Sequence, residues 1–139
     1  MYLVDTDVIS ELRKKKNANA GVVAFFKEAS SSDGALYLAA VTIGELRRGV
    51  ELVRHRGDAK QAQMLERWLG RLLGDFGDCV LAFDADVAQV WGRLRVPHPE
   101  NPLDKQIAAT ALLHDLVLVT RNVKHFVATG VKLFNPFTQ

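Results

Sequence analysis

The sequence predicts an α/β fold, a three-layer α/β/α sandwich around a parallel sheet of about five strands. Short apolar runs rich in β-branched residues alternate along the chain with longer segments whose apolar residues recur at helical spacing. Several runs, such as residues 116–120, are almost wholly apolar, as expected of strands that helices cover on both faces. Such alternation favours parallel strands joined by right-handed crossovers.

The composition is that of one globular domain, which we expect to span residues 1–139. Apolar residues make up 48% of the chain and charged residues 24%, and no segment is of low complexity. No run reaches the length of a membrane-spanning helix, and the N-terminus has no basic region followed by an apolar one. We therefore expect a cytoplasmic protein in which Cys79 is a buried, reduced thiol.

The first strand, residues 2–4, ends in Asp5, Thr6 and Asp7, and a helix resumes the apolar pattern at once. Thr6 or Asp7 can cap that helix, and capping is the favoured interpretation of Asp7. Asp5 precedes the cap at the carboxyl end of a buried strand, where open α/β sheets bind ligands. Capping and a functional role are therefore equally good interpretations of Asp5 from this stretch alone.

The next elements place a second acid at a strand end. A basic loop or frayed helix end over residues 14–21 precedes a helix over 22–29, a break over 30–34 and a strand over 35–40. A helix then begins at Thr42, and Glu45 stands three residues later, as in a capping box. Glu45 can satisfy a backbone amide there, yet it also follows directly on a strand end.

Residues 57–102, the middle of the chain, are expected to have structural roles. A long amphipathic helix over residues 57–74 is expected to form a hairpin with the helix from Thr42. A turn over 74–78, a strand over 79–83 and a helix capped by Asp84 follow. The proline-rich residues 96–102 form a loop, in which we expect His98 to be exposed.

The last third supplies a third acid and an amide. Asp104 lies at the border of the buried stripe of a helix over residues 103–115, although an acid in the first turn also suits the helix dipole. The strand over 116–120 leads into Asn122. A short helix over 123–128 and a last strand over 131–134 complete the chain.

Asp5, Glu45, Asp104 and Asn122 all fall at strand ends or helix starts on one edge of the predicted sheet. Three acids in one crevice repel each other unless a cation neutralises them. Oxygen ligands with open positions suit Mg²⁺, or Mn²⁺ in its place. Such a site can lower the pKa of a bound water and stabilise an in-line phosphoryl displacement.

Four segments carry these polar residues: residues 2–10 (YLVDTDVIS), 42–49 (TIGELRRG), 103–111 (LDKQIAATA) and 119–126 (VTRNVKHF). In order and spacing they resemble the PIN-domain endoribonucleases, and within that family the VapC toxins of bacterial toxin–antitoxin pairs. The resemblance covers essentially the whole chain and identifies Asp5, Glu45 and Asp104 as the acidic metal ligands.

By the same resemblance Asn122 takes the fourth active-site position, where many relatives carry Asp and others place the acid at the position of His125. The absence of both acids puts a second metal in doubt. Relatives commonly have Asn at the position of Asp7, which here would add charge to the site.

The resemblance implies a homodimeric toxin that cleaves RNA with magnesium until a VapB-like antitoxin covers the crevice, in an assembly that can bind operator DNA. Basic clusters in the first half of the chain suit a phosphate-bearing partner, although a solvated helix end explains any one of them as well. The residues expected to contact RNA are Arg47, Arg48, Thr120 and Arg121.

Two alternatives remain open from the sequence. A strand followed by Asp5-Thr6-Asp7 is also found in haloacid dehalogenase-like phosphatases, where the first Asp is a phosphorylated nucleophile. That class needs a paired acid after a late strand, and Thr120-Arg121-Asn122 stands there instead. In the other alternative the acids are caps and the basic helices bind DNA or a partner without catalysis.

Overall fold

Five parallel strands form the sheet of the computed structural model, which describes residues 1–32 and 35–138. Their order is β3-β2-β1-β4-β5, so the first strand lies in the middle and pairs with β2 on one side and β4 on the other. The predicted parallel sheet is confirmed. The strands are β1 Tyr2–Val4, β2 Leu36–Ala39, β3 Val80–Leu81, β4 Val117–Val119 and β5 Leu133–Phe134.

Six α-helices in the described residues alternate with the strands or follow them in pairs, and short 3₁₀ segments connect them. In the described part of the chain, no helix is both long and apolar enough to cross a membrane. The helices are α1 Thr6–Glu11, α2 Ala20–Ser31, α3 Ala40–His55, α4 Ala59–Phe76, α5 Ala85–Leu94 and α6 Pro102–Leu113. The 3₁₀ segments are Leu12–Asn17, Gly77–Cys79, Val123–His125 and Val127–Thr129.

The three layers follow from the alternation of side chains along each strand. Val4 and Val119 face a core that the helices α1 to α4 cover. These helices contribute Phe25, Leu46 and Leu69 among other residues. Their neighbours Leu3 and Leu118 face a second core, which α6 and the segment after β4 supply with Ile107, Ala108 and Phe126. Because strand side chains alternate between faces, both cores are anchored by the same central strands.

Helix α3 begins earlier than expected, and this corrects the interpretation of Glu45. The helix starts at Ala40, directly after β2, and its N-cap Ala39 makes no side-chain capping bond. Thr42 is therefore inside the helix and fully buried, and its hydroxyl has no hydrogen-bond partner within residues 1–32 and 35–138. The predicted capping box is wrong, so capping does not explain Glu45.

Other boundaries differ by small amounts. Pro102 belongs to α6 rather than to the loop, because its fixed φ suits a first helical position. The short helix predicted over residues 123–128 is two 3₁₀ turns, and α2 runs on to Ser31, so the predicted break begins later. Asp33 and Gly34, the end of that break, lie outside the described residues.

Two predictions about the segment around β3 were also tested. The expected N-cap of α5 is confirmed, since the Asp84 carboxylate accepts from the Val87 N–H at 3.0 Å. Cys79 is a free thiol, as expected, but it is half-buried rather than fully buried.

The C-terminal segment is held against the start of α2 by Asn19. Its Oδ1 accepts from the backbone N–H of Thr138 at 3.0 Å and from that of Gly21 at 2.9 Å, and its Nδ2 donates to the Thr138 carbonyl at 2.8 Å. A Cβ added to Gly21 would lie 2.1 Å from the Pro136 carbonyl oxygen. This approach therefore requires glycine.

We expect Gly21→Ala to displace residues 135–138 and to lower stability by about 1–3 kcal/mol, because backbone rather than a flexible side chain must move. Gly70→Ala is the matched control: Gly70 is exposed within α4 with open space around it, so alanine should raise stability by up to about 1 kcal/mol. Thermal unfolding and carboxypeptidase digestion measure both effects. A Gly21→Ala protein with wild-type stability and an equally protected tail would contradict this packing.

Candidate functional site

One cleft at the carboxyl edge of the sheet brings together the four residues predicted to form the site. Asp5 comes from the end of β1, Glu45 from α3, Asp104 from the first turn of α6, and Asn122 from the segment after β4. The cleft has a volume of about 350 Å³, and Thr6, Asp7, Leu103 and Ile107 complete its lining. The expected convergence is confirmed, while the roles of the residues as ligands stay predictions.

Asp5 is the most constrained side chain of the cleft, with 5% of its surface exposed. Its Oδ1 accepts from the Thr6 N–H at 2.8 Å, and its Oδ2 accepts from the Thr120 hydroxyl at 2.7 Å. The Thr120 oxygen accepts in turn from the Asn122 N–H at 3.0 Å. Asp5, rather than Thr6 or Asp7, is thus the N-cap of α1, and this corrects the predicted cap.

The environment of Asp5 disfavours its charge. Burial raises its pKa from the ordinary 3.8 to about 6, and the nearby charges of Asp7 and Asp104 act in the same direction. The hydrogen bonds from Thr120 and Thr6 lower the pKa but only in part. At neutral pH the Asp5 carboxyl is therefore ionised in an environment that favours its neutral form.

Asp7 adds a second, half-buried charge. Its Oδ2 accepts from the Arg121 N–H at 3.1 Å, whereas its Oδ1 is buried and has no hydrogen-bond partner among the described residues. Burial raises the pKa of this carboxyl as well. A buried oxygen without a donor is costly unless a cation or a ligand reaches it.

Asp104 is tied to a residue that sequence reasoning did not connect with it. The His125 Nδ1 lies 3.0 Å from Asp104 Oδ2, so with Asp104 ionised this nitrogen carries a proton and donates it to the carboxylate. The sequence offered one signal, because the resemblance had already marked His125, three residues after Asn122, as a position of the expected site. The imidazole here orients an acid instead of replacing one.

The donor set of the cleft fits a hard divalent cation. It consists of carboxylate and amide oxygens, one of them orphaned and buried, and it carries more negative charge than its surroundings neutralise. Within residues 1–32 and 35–138, however, no group of three or more acidic, histidine or cysteine side chains is already placed so that it could hold a metal ion.

The four residues expected to contact RNA differ in how exposed they are and in whether they form ion pairs. The expectation for Thr120 is wrong, because the side chain is fully buried and its hydroxyl donates to Asp5. Arg47 pairs with Glu66 at 2.7 Å and with Glu51 at 3.2 Å, so its charge is largely neutralised. Arg48 and Arg121 are exposed, and both remain predicted contacts.

Comparison with known proteins relates this fold and cleft to one family. Residues 2–131 match the family model described as PIN domain. The chain is 37% identical to Toxin FitB of Neisseria gonorrhoeae, with 99% of each chain covered. It is 32% identical to VapC ribonuclease Y4jK of Sinorhizobium fredii, covering 99% of this chain and 98% of that one.

A solved structure agrees with the sequence relatives. The structure of FitAB bound to an IR36 DNA fragment superposes with a TM-score of 0.85 at 33% identity, covering all of this chain and 97% of the other. The similarity therefore includes the five-stranded sheet and the segments that line the cleft.

The raised pKa of Asp5 predicts a pH-dependent effect of Asp5→Asn in the absence of divalent cations. A carboxyl whose pKa is higher in the folded state stabilises the protein below its unfolded pKa of 3.8, and that stabilisation is lost as pH rises through about 6. Each tenfold change in proton affinity is worth about 1.4 kcal/mol, so the ionised side chain costs the folded protein about 3 kcal/mol at neutral pH.

Asn cannot ionise, so Asp5→Asn should gain stability relative to wild type between about pH 4 and about pH 7.5, measured by thermal unfolding in EDTA. Asp84→Asn is the control, because Asp84 is also an N-cap but is exposed, and removing its charge relieves no burial. The same stability difference between Asp5→Asn and wild type at both pH values would contradict the electrostatic account of the cleft.

Proposed function

We propose, from the premise that the chain belongs to the PIN-domain family, that it is a magnesium-dependent endoribonuclease and the toxin of a toxin–antitoxin pair, acting in the cytoplasm. Family membership rests on the match over residues 2–131 and on relatives 37% and 32% identical over nearly the whole chain. The first of these relatives is named as a toxin and the second as a VapC ribonuclease. Membership in this family also argues against the haloacid dehalogenase-like alternative.

The observation that carries the proposal is the shared cleft of Asp5, Asp7, Glu45 and Asp104, with Asn122 at its edge. As helix caps alone, these acids would have no reason to meet. Only Asp5 occupies an N-cap position, and its second oxygen is held by a residue 115 positions away in sequence. Such concentration of charge is typical of a site that binds a cation and the phosphates of a substrate.

The residues proposed to hold the cation are Asp5, Glu45 and Asp104. When bound, Mg²⁺, or Mn²⁺ in its place, supplies Lewis acidity that stabilises negative charge on the phosphodiester during hydrolysis. Thr6 and Thr120 fix the carboxylate of Asp5, and His125 fixes one oxygen of Asp104, so both acids are oriented before any ligand enters. The Asn122 amide at the cleft edge can donate to a phosphate oxygen.

Replacing any one of the three acids by its amide should abolish cleavage of RNA while the protein stays folded. For Asp5→Asn, Glu45→Gln and Asp104→Asn we expect cleavage rates on the order of 100-fold below wild type or lower, because charge stabilisation in the cleft is lost. The measurement is cleavage of total RNA on a gel, with Mg²⁺ and with EDTA. Asp86→Asn, an exposed acid in the first turn of α5 outside the cleft, should cleave like wild type.

Thermal unfolding gives a readout that does not depend on activity. Mg²⁺ should raise the midpoint of wild type by mass action, and should raise it less in each of the three variants. If the Asp5→Asn variant cleaved RNA as fast as wild type, the nuclease proposal would be wrong. Release of phosphate from a phosphomonoester without RNA cleavage would favour a phosphatase instead.

We further propose a homodimeric toxin whose partner is a VapB-like antitoxin, in an assembly able to bind operator DNA. The support comes from two similar solved structures, FitAB bound to an IR36 DNA fragment and FitAcB from Neisseria gonorrhoeae. The acidic cleft gives such a partner an electrostatic target, since a basic side chain from an antitoxin would pair with its carboxylates.

Expression of the chain alone in a bacterial host should arrest growth, and co-expression of the adjacent open reading frame should restore it and yield a co-purifying complex. Asp5→Asn should permit growth without the partner, because cleavage is lost while folding is kept. Growth curves and light scattering of the purified proteins make the measurement. Growth arrest by Asp5→Asn at equal expression would show that toxicity does not come from the cleft.

A further inference from the structure

A second pocket adjoins the acidic cleft and has the opposite charge. It has a volume of about 350 Å³ and is formed by the segment after β4 together with one residue after β5. Asn122 lines both this basic pocket and the acidic cleft, so the two meet at that residue. The basic pocket is lined by Arg121, Asn122, Val123, Lys124, His125 and Asn135.

The cations of this pocket form no ion pair with a described residue, in contrast to those of α3, although the charge of Arg121 acts to lower the pKa of both Asp7 and Glu11. Arg47 and Arg54 both pair with Glu51 and Glu66, and these four groups neutralise one another. Among the described residues, no carboxylate lies within ion-pair distance of the side chains of Arg121 or Lys124. Both side chains are exposed and so are available to a ligand.

Arg121 is also held in place. Its backbone N–H donates to Asp7 at 3.1 Å, and its guanidinium lies 4.7 Å from the centroid of the Phe137 ring. A cation–π contact of this length restricts the side chain without neutralising its charge. The guanidinium thus has fewer conformations to lose when it binds an anion.

The link between His125 and Asp104 joins the two sites. Asp104 lines the acidic cleft and His125 lines the basic pocket, with 3.0 Å between Nδ1 and Oδ2. When one phosphate of a nucleic-acid strand lies at the acidic cleft, the next accessible positive charges are therefore those of the basic pocket. They lie on the far side of the His125–Asp104 pair. Among the described residues no acid lines the basic pocket, so none of their charges inside it repels a phosphate.

We propose that the basic pocket binds a backbone phosphate of the RNA substrate, next to the phosphodiester that is cleaved. The inference rests on the proposed ribonuclease function and adds a subsite to it. Arg121 and Lys124 supply the charge, and Asn122 and Asn135 supply amide donors for the same phosphate. The subsite sets the register of the strand, because a phosphate held here leaves a neighbouring linkage over the acidic cleft.

The test replaces the phosphates of an uncleavable RNA, one at a time, by an uncharged linkage. Wild type first cleaves a short RNA, which maps the scissile linkage. A 2′-O-methyl version of that RNA then receives one methylphosphonate at each position in turn, and its binding is measured by fluorescence anisotropy. One linkage flanking the scissile bond should weaken binding to wild type about tenfold when neutral, because a charge-assisted contact is lost.

The same replacement should have little effect on binding to Lys124→Gln or to Arg121→Gln, since the partner cation is already missing. Lys132→Gln is the matched control: Lys132 is exposed, pairs with Asp115 at 3.4 Å and lies outside the pocket, so it should behave like wild type. The Arg121→Gln variant loses the contact with Phe137, which can disturb its folding. The Lys124→Gln variant should fold normally, because Lys124 is exposed and makes no ion pair with a described residue.

Two failures are distinguishable. If wild type cleaves RNA and Asp5→Asn does not, but no linkage depends on Lys124 or Arg121, the subsite is wrong and the proposed function stands. If wild type does not cleave RNA at all, the proposed function is wrong and the subsite falls with it.

Discussion

The hydrogen bond from Thr120 to Asp5 is the interaction on which the site depends. It joins the end of β1 to the end of β4, and both strands lie at the centre of the sheet. A buried carboxylate at that junction is unfavourable by itself, since burial and two neighbouring acids raise its pKa. The two donors fix the carboxylate's position, and the residues that follow each strand, Asp7 and Asn122, are fixed with it.

Much of this arrangement could be predicted from the sequence, because it depends on patterns that are local. Short apolar runs rich in β-branched residues predicted the strands, and the rule that parallel strands end at one edge brought Asp5, Glu45, Asp104 and Asn122 together. The two main errors have different origins, one local and one in a contact between distant residues. The capping box at Thr42 failed because β2 turns directly into α3, and the hydroxyl of Thr120 is turned inward by a residue at the other end of the chain.

Charge was the least predictable property. Clusters of basic residues in sequence suggested a surface for phosphates, yet Arg47 and Arg54 lie where α3 and α4 face each other and are neutralised by Glu51 and Glu66. The free cations beside the cleft, Arg121 and Lys124, form no conspicuous run in the sequence. Whether a charged residue is available to a ligand is decided by pairing across elements, which a linear pattern does not contain.

The central position of β1 has a consequence for how the protein is made. Strand β1 is synthesised before β4, with which it pairs on one side, and Asp5 receives its second donor from a residue 115 positions later. Long-range pairing of this kind cannot form until the later segment has been synthesised. A nascent or truncated chain that stops before Thr120 therefore holds only the first carboxylate contact and lacks Asn122. The cleft of Asp5, Asp104 and Asn122 is therefore complete only after β4 and the segment that follows it have been synthesised.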